Sequence, residues 1–225
     1  MKHFLVENVE KGLDTLMIKP LVANKLEIVD YYEDAQKVLE NEEVSAISFE
    51  NLEGILIATD IEIEKSKFVN CKCENSNFER CDFSNIMFEN CDFSNSKFIE
   101  CNFTRAKFQN CKLLGTNFMN SIFYTTEFEE IVAKYSNFSE ASLKDISISK
   151  ANLEGANIEN AKLKNLKLED TNLVGVNFFE TNLKGIDFTT SNIEGIVVSI
   201  KDLKGAIVSE MQAIELAKLL GIIIK

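Results

Sequence analysis

A period of five residues constrains this chain more than any other feature. Phe78, Phe83, Phe88, Phe93, Phe98, Phe103 and Phe108 recur at that interval, and Phe68, Phe118 and Phe123 continue the phase on either side. Two positions ahead of the central residue sit small or thiol side chains, among them Ser76, Cys81, Cys91, Ser96, Cys101 and Ala106. Neither the 3.6-residue period of a helix nor the alternation of a strand produces this spacing. Units this short cannot bury their own apolar residues, so neighbours must stack and share one core.

The phase runs from Ile63 to Val208, 29 steps without insertion or deletion, and only Cys73 and Ala133 replace the large apolar residue. Segments such as ANLEG (151–155), AKLKN (161–165) and TNLKG (181–185) show the repeated pattern plainly. On these residues the chain resembles the pentapeptide-repeat family. The resemblance implies an all-β fold, a right-handed quadrilateral β-helix in which five residues form one side and four units form one coil. It also implies that the central residue and the small residue two before it point inward. The expected layout is a β-helix over 46–208, a capping or small accessory segment over 1–45, and a helix with a short strand over 209–225.

Stacked coils should lie about 4.8 Å apart, the strand spacing of a sheet. Asn and Gly crowd the position two after the central residue (Asn70, Asn90, Asn110, Gly155, Gly175), as corners with φ > 0 require. With four units per coil, one side carries Phe83, Phe103, Phe123 and Leu143, and a second carries Phe68, Phe88, Phe108 and Phe128. The third carries Cys73, Phe93, Leu113 and Leu153, and the fourth Phe78, Phe98, Phe118 and Phe138. On the second side the small position is often large (Ile86, Ile146, Leu166, Ile186), which suggests a different turn there. Cys71, Cys91 and Cys111 fall in one column and Cys81 and Cys101 in another. Zinc needs four converging ligands, and the chain has one histidine, so the thiols read as small buried hydrophobes rather than a metal site.

The two ends lack the period. His3–Val6 and Leu16–Ile18 are short apolar runs with strand character. Ile47, Phe49, Ile55, Ile57, Ile61 and Ile63 alternate as in an irregular first coil. Asp30 and Glu33 form a capping-box pattern for a helix over 31–42, with Tyr31, Ala35, Val38 and Leu39 on one face. This segment reads as a cap on the open coil or as a separate binding module. At the other end Ser209 and Gln212 form a second capping-box pattern, with Gly221 as the helix stop and Ile222, Ile223 and Ile224 as a short strand. Asp202 to Ile224 also resemble the C-terminus of the Qnr quinolone-resistance branch. That resemblance implies a homodimer through Met211, Ile214, Leu216, Leu220, Ile222, Ile223 and Ile224. It further implies a DNA mimic that binds DNA gyrase or topoisomerase IV and modulates fluoroquinolone action.

The formal charge of −12 opposes direct binding to nucleic acid. Acid is concentrated in residues 1–60, with 13 acidic against 5 basic side chains, and again around Glu127, Glu129, Glu130, Glu140 and Asp145. The outward apolar residues Ile122, Tyr124, Val132 and Tyr135 share that middle zone, where Ala133 interrupts the core. Ile122, Tyr124, Glu127, Glu129, Glu130 and Tyr135 therefore form a candidate partner surface, against the alternative of a slightly distorted coil. No nucleophile, base and orienting group can be paired, no phosphate loop is present, and no cofactor is implied. Acids inside the first apolar stretch argue against a signal peptide, and no run is long enough for a membrane span, so a reducing cytoplasm is expected. The reading left open beside the gyrase mimic is a structural or protein-interaction scaffold.

Overall fold

A left-handed residue at every fifth position, from Lys65 through Gly185, turns the backbone through a corner and sets the architecture. The φ angles there run close together, as at Asn70 (54°), Arg80 (52°), Asn90 (55°) and Tyr135 (58°). The structure is a computed structural model and describes residues 19–223. It is a parallel β-solenoid of about seven turns with a short C-terminal helix. Strands Asp82–Glu89, Asn102–Gln109, Ile122–Glu129, Ser142–Ser149 and Lys162–Glu169 pair in parallel, with partners twenty residues apart: Phe83 with Phe103, Phe123 with Leu143, Leu143 with Leu163.

The twenty-residue register stacks like on like. Phe83, Phe103 and Phe123 lie ring over ring with centroids 4.9 and 4.8 Å apart, and Phe78, Phe98, Phe118 and Phe138 do the same at 4.9, 5.4 and 4.8 Å. A third column joins Phe49, Phe68, Phe88, Phe108 and Phe128. Rings from adjacent sides meet edge to face, as Phe88 and Phe93 do at 5.7 Å, so stacked and T-shaped contacts alternate through the core. Phe68, Phe78, Phe83, Phe88, Phe93, Phe98, Phe103, Phe108, Phe118 and Phe123 are all fully buried. Outside, asparagine side chains form their own ladders: Asn70, Asn90 and Asn110 bond in sequence at 3.2 and 2.8 Å.

Turn chemistry differs by side. After the third and fourth sides a backbone bond closes most corners from Phe93 onward, as from Thr116 N to Leu113 O and Ser121 N to Phe118 O, whereas Cys101 N and Ala161 N donate to the hydroxyls of Ser121 and Thr181 instead. After the first side the strand runs through the corner without such a bond, and the corner after Phe108 also lacks one. The different turn expected of the second side alone therefore belongs to two corners. From Leu183 onward both switch to the bonded form, with Ile186 N donating to Leu183 O and Ser191 N to Phe188 O. Gly185, with φ 81°, occupies the left-handed place in the first of these turns.

Several expectations for the N-terminal end are corrected. The stack begins ahead of residue 46, because Glu27–Val29 pairs with residues 47–49 and Val29 and Val44 face the core. Glu27–Val29 and its partners are twenty apart, but over residues 43–53 the partners are nineteen apart (Val44 with Ile63, Glu53 with Lys72), returning to twenty at Ile57 with Asn77. One residue is missing from the side around Gly54, which flips the alternation. Leu56 and Ala58 are buried, whereas Ile55 and Ile57 are exposed. Helix α1 spans Tyr32–Val38, not 31–42, and its N-cap is Tyr31 without a side-chain cap bond, so the Asp30 capping box does not form. Tyr31 is exposed, and Tyr32 takes the inward place, its hydroxyl donating to Ile55 O. Gln36 donates to Ile57 O and accepts from Ile57 N, so one side-chain amide closes the strand edge beneath the helix. The runs His3–Val6 and Leu16–Ile18 lie outside the described residues.

At the other end α2 spans Glu210–Ala217, with the Ser209 and Gln212 capping box formed. The Gln212 amide also donates to Phe188 O and Ser191 O, pinning the helix to the last complete coil. Ile222 and Ile223 form no strand. Leu203, Val198 and Val208 keep the five-residue phase but are only partly buried, because no further coil covers them.

Candidate interaction surfaces

The middle patch separates into three faces. Ile122 and Tyr124 point outward from the first side, Glu127 and Glu129 from the second, and Tyr135 stands at a corner of the third. The five-residue turn that builds the fold thus prevents these neighbours in sequence from making one surface. Lys144 lies over the Tyr124 ring, 4.6 Å from its centroid. Lys107 bridges Glu127 at 3.4 Å and Glu129 at 2.7 Å, and it holds the Glu129 carboxyl below its ordinary range. Glu130 pairs with Lys150 at 3.2 Å, so these acids are partly neutralised. Tyr135 is 60% exposed, and the Cδ1–Cε1 edge of its ring comes up against Gly155. Ala133 leaves no gap for a partner to fill. It is fully buried, and the rings of Phe128 and Phe138 beside it meet edge to face at 6.2 Å.

The C-terminal residues divide as well. Met211 and Ile223 are strongly exposed, and Ile214, Leu220 and Ile222 are also outward. Leu216 is partly buried and packs against the core of its own chain. Ile224 lies outside the described residues. Val197, Ile200 and Ile207 on the final coil add further exposed apolar area at this end.

All six cysteines are buried and free. Their thiols donate to backbone carbonyls, as from Cys101 to Phe78 O and Cys111 to Phe88 O, both at 3.4 Å. The Cys111 thiol and burial push Cys91 up, and the Cys71 thiol and burial do the same to Cys73. Among the described residues no three His, Cys, Asp or Glu side chains gather as a metal site. A cleft of about 590 Å³ beside α1 is lined by Gln36, Glu40, Glu42 and Asp60, with no thiol or histidine. No helix among the described residues is long and apolar enough to cross a membrane.

One feature escaped the sequence reading. The large sheet ends at Lys162–Glu169, short of the C-terminal end of the rod, because the next coil does not pair with it on the first two sides. Two signals mark the place: Gly185 changes the corner, and lysines recur every twenty residues at 144, 164, 184 and 204.

A family description, Pentapeptide repeat region, matches residues 61–138 and 101–178, which together cover more than half of the chain. The chain belongs to the pentapeptide-repeat family. No curated protein sequence matches it. Among solved structures, a trypsin-treated form of QnrB1, a plasmid-mediated fluoroquinolone resistance protein, is 17% identical. It covers 89% of this chain and 98% of its own, with a TM-score of 0.45. HetL, a pentapeptide repeat protein involved in heterocyst differentiation regulation from the cyanobacterium Nostoc sp. strain PCC 7120, is 16% identical. The match covers 75% of this chain and 90% of HetL, with a TM-score of 0.46.

Proposed function

We propose that this pentapeptide-repeat rod is a non-catalytic binding protein that enters the DNA-binding groove of gyrase or topoisomerase IV and so modulates fluoroquinolone action. The observation that carries the reading is charge on a rigid support. The chain carries a net −12, of which the first sixty residues supply −8, and its described residues form a stacked rod. A groove that reads the phosphate backbone is built for a stiff polyanion. The first side is the exception. From Ala141 onward it holds Lys144, Lys162, Lys164, Lys184, Lys201 and Lys204 against Asp145 and Asp202. In this reading the other three sides and the acidic N-terminal end meet the enzyme, and the first side faces away.

The Qnr-like C-terminus and its exposed Met211, Ile214, Leu220, Ile222 and Ile223 support a homodimer joined end to end, which would double the length of the polyanion. A gyrase supercoiling assay, with and without ciprofloxacin, tests the proposal. Protection or inhibition is expected as the protein is titrated in. No effect at a large molar excess over both gyrase and topoisomerase IV would refute it.

A further inference from the structure

Hydrogen bonds between backbones tie each coil to the next. Leu153 N donates to Asn172 O, Leu173 N to Asn192 O, and Phe188 N to Ile207 O. Between residues 162–169 and 182–189 none forms. Two threonine hydroxyls hold the ends of this opening instead. Thr181 Oγ1 accepts from Ala161 N at 3.0 Å, and Thr190 Oγ1 accepts from Asp170 N at 3.4 Å. Between them an eight-residue strand presents an edge with no backbone partner, its Leu168 O accepting from the Thr190 hydroxyl at 3.4 Å, the kind of template that recruits another strand.

The side chains around the opening are equally unfinished. Leu163, Leu166 and Leu168 are only partly buried, although their counterparts Leu143, Ile146 and Ile148 one coil earlier are 5% exposed or less. A cleft of about 460 Å³ opens here, lined by Lys144, Lys162 and Lys164. Lys167 and Lys184 are exposed beside it. None of these five lysines forms an ion pair among the described residues. Of the nearby carboxylates, Glu180 also lines the cleft, Glu169 and Asp170 lie at the far end of the opening, and Asp187 is hydrogen-bonded by Thr189.

We propose that the edge Lys162–Glu169 accepts an extended acidic segment of a partner protein as an added strand. Such a segment answers three needs at once. Its backbone pairs with the free edge, its apolar residues cover the three leucines, and its carboxylates meet the lysines. This is strand addition, in which main-chain bonds supply affinity and flanking side chains supply specificity. Four of its five lysines (144, 162, 164 and 184) lie on the basic first side, which the topoisomerase reading leaves unused.

The test uses the full chain and a fluorescent peptide of alternating Val and Glu, about ten residues long to span the edge. Its anisotropy should rise on titration. The same peptide methylated at alternate backbone nitrogens should lose binding, although its charge is unchanged. The triple variant Lys162→Glu, Lys164→Glu, Lys167→Glu should weaken binding about tenfold or more, as three exposed ion pairs lost together would. Lys112→Glu on the third side should leave it unchanged. Hydrogen exchange over 162–169 should be fast in the free protein and slowed by the peptide. No binding, equal binding of the methylated peptide, or equal binding of oligothymidylate would overturn the proposal, the last pointing to a non-specific polyanion site. Slow exchange over 162–169 before peptide is added would also overturn it, because the edge would already be covered.

Discussion

Replacing Thr125 by asparagine should stabilise the protein. Thr125 sits at a corner with φ 53°, in the left-handed region that β-branched side chains avoid. Holding an ordinary residue there costs roughly 1–2 kcal/mol, and asparagine tolerates the region far better. The corner column also offers the new amide partners. One coil up, Arg105 Nε donates to Asn85 Oδ1 at 2.8 Å, and one coil down, Asn165 donates to Asp145 at 2.6 Å. A gain of about 1 kcal/mol is expected, which raises Tm by roughly 2–4 °C in a chain of this size. Thr125→Gly should gain less, because glycine removes the strain but frees the unfolded chain. Differential scanning calorimetry of the three proteins measures this. An asparagine variant that melts below the parent would refute the claim that these corners are the strained element of the coil.

Phe103→Ala should cost about 3–5 kcal/mol in urea unfolding, since its ring stacks on Phe83 and Phe123 and meets Phe98 and Phe108 edge to face. Phe178→Ala should cost less, because its only ring partner among the described residues is Phe188. Gly155→Ala should destabilise by roughly 1–3 kcal/mol: φ is 67° and the added Cβ would meet the Tyr135 ring at 2.7 Å. The six thiols should resist a disulfide-exchange reagent in the folded protein and react together in guanidinium, given their burial. Met211→Asp with Ile223→Asp should convert a dimer to a monomer by light scattering without lowering Tm, whereas Leu216→Asp should lower Tm because that residue packs inward.

The fold was legible because one pattern decides it. Each Phe or Leu of the phase is a core residue, and each Asn or Gly two places on turns a corner, so period alone specifies register and direction. Legibility failed where a single residue changes the count. The short side at Gly54 exposed Ile55 and Ile57, and nothing in their apolar character announces it. It failed again where a feature depends on contact between coils. Leu163 carries the same motif as Leu143, yet only the next coil decides whether its edge is covered. The helix ends show both outcomes. Ser209 and Gln212 cap as their spacing suggests, whereas Asp30 yields to Tyr31 because Tyr32 and Gln36 dock on the first coil and set where α1 starts.

Displacement of a fluorescent duplex from gyrase tests the proposed function most directly. With DNA bound at equilibrium, added protein should lower the anisotropy to that of free duplex, with a midpoint that shifts as the DNA concentration is raised. Acid-to-amide changes at the exposed Glu140 and the half-buried Glu159 on the fourth side should weaken the competition, and Lys164→Glu on the first side should not. A stable ternary complex of gyrase, duplex and this protein, or an anisotropy that never falls, would contradict the account.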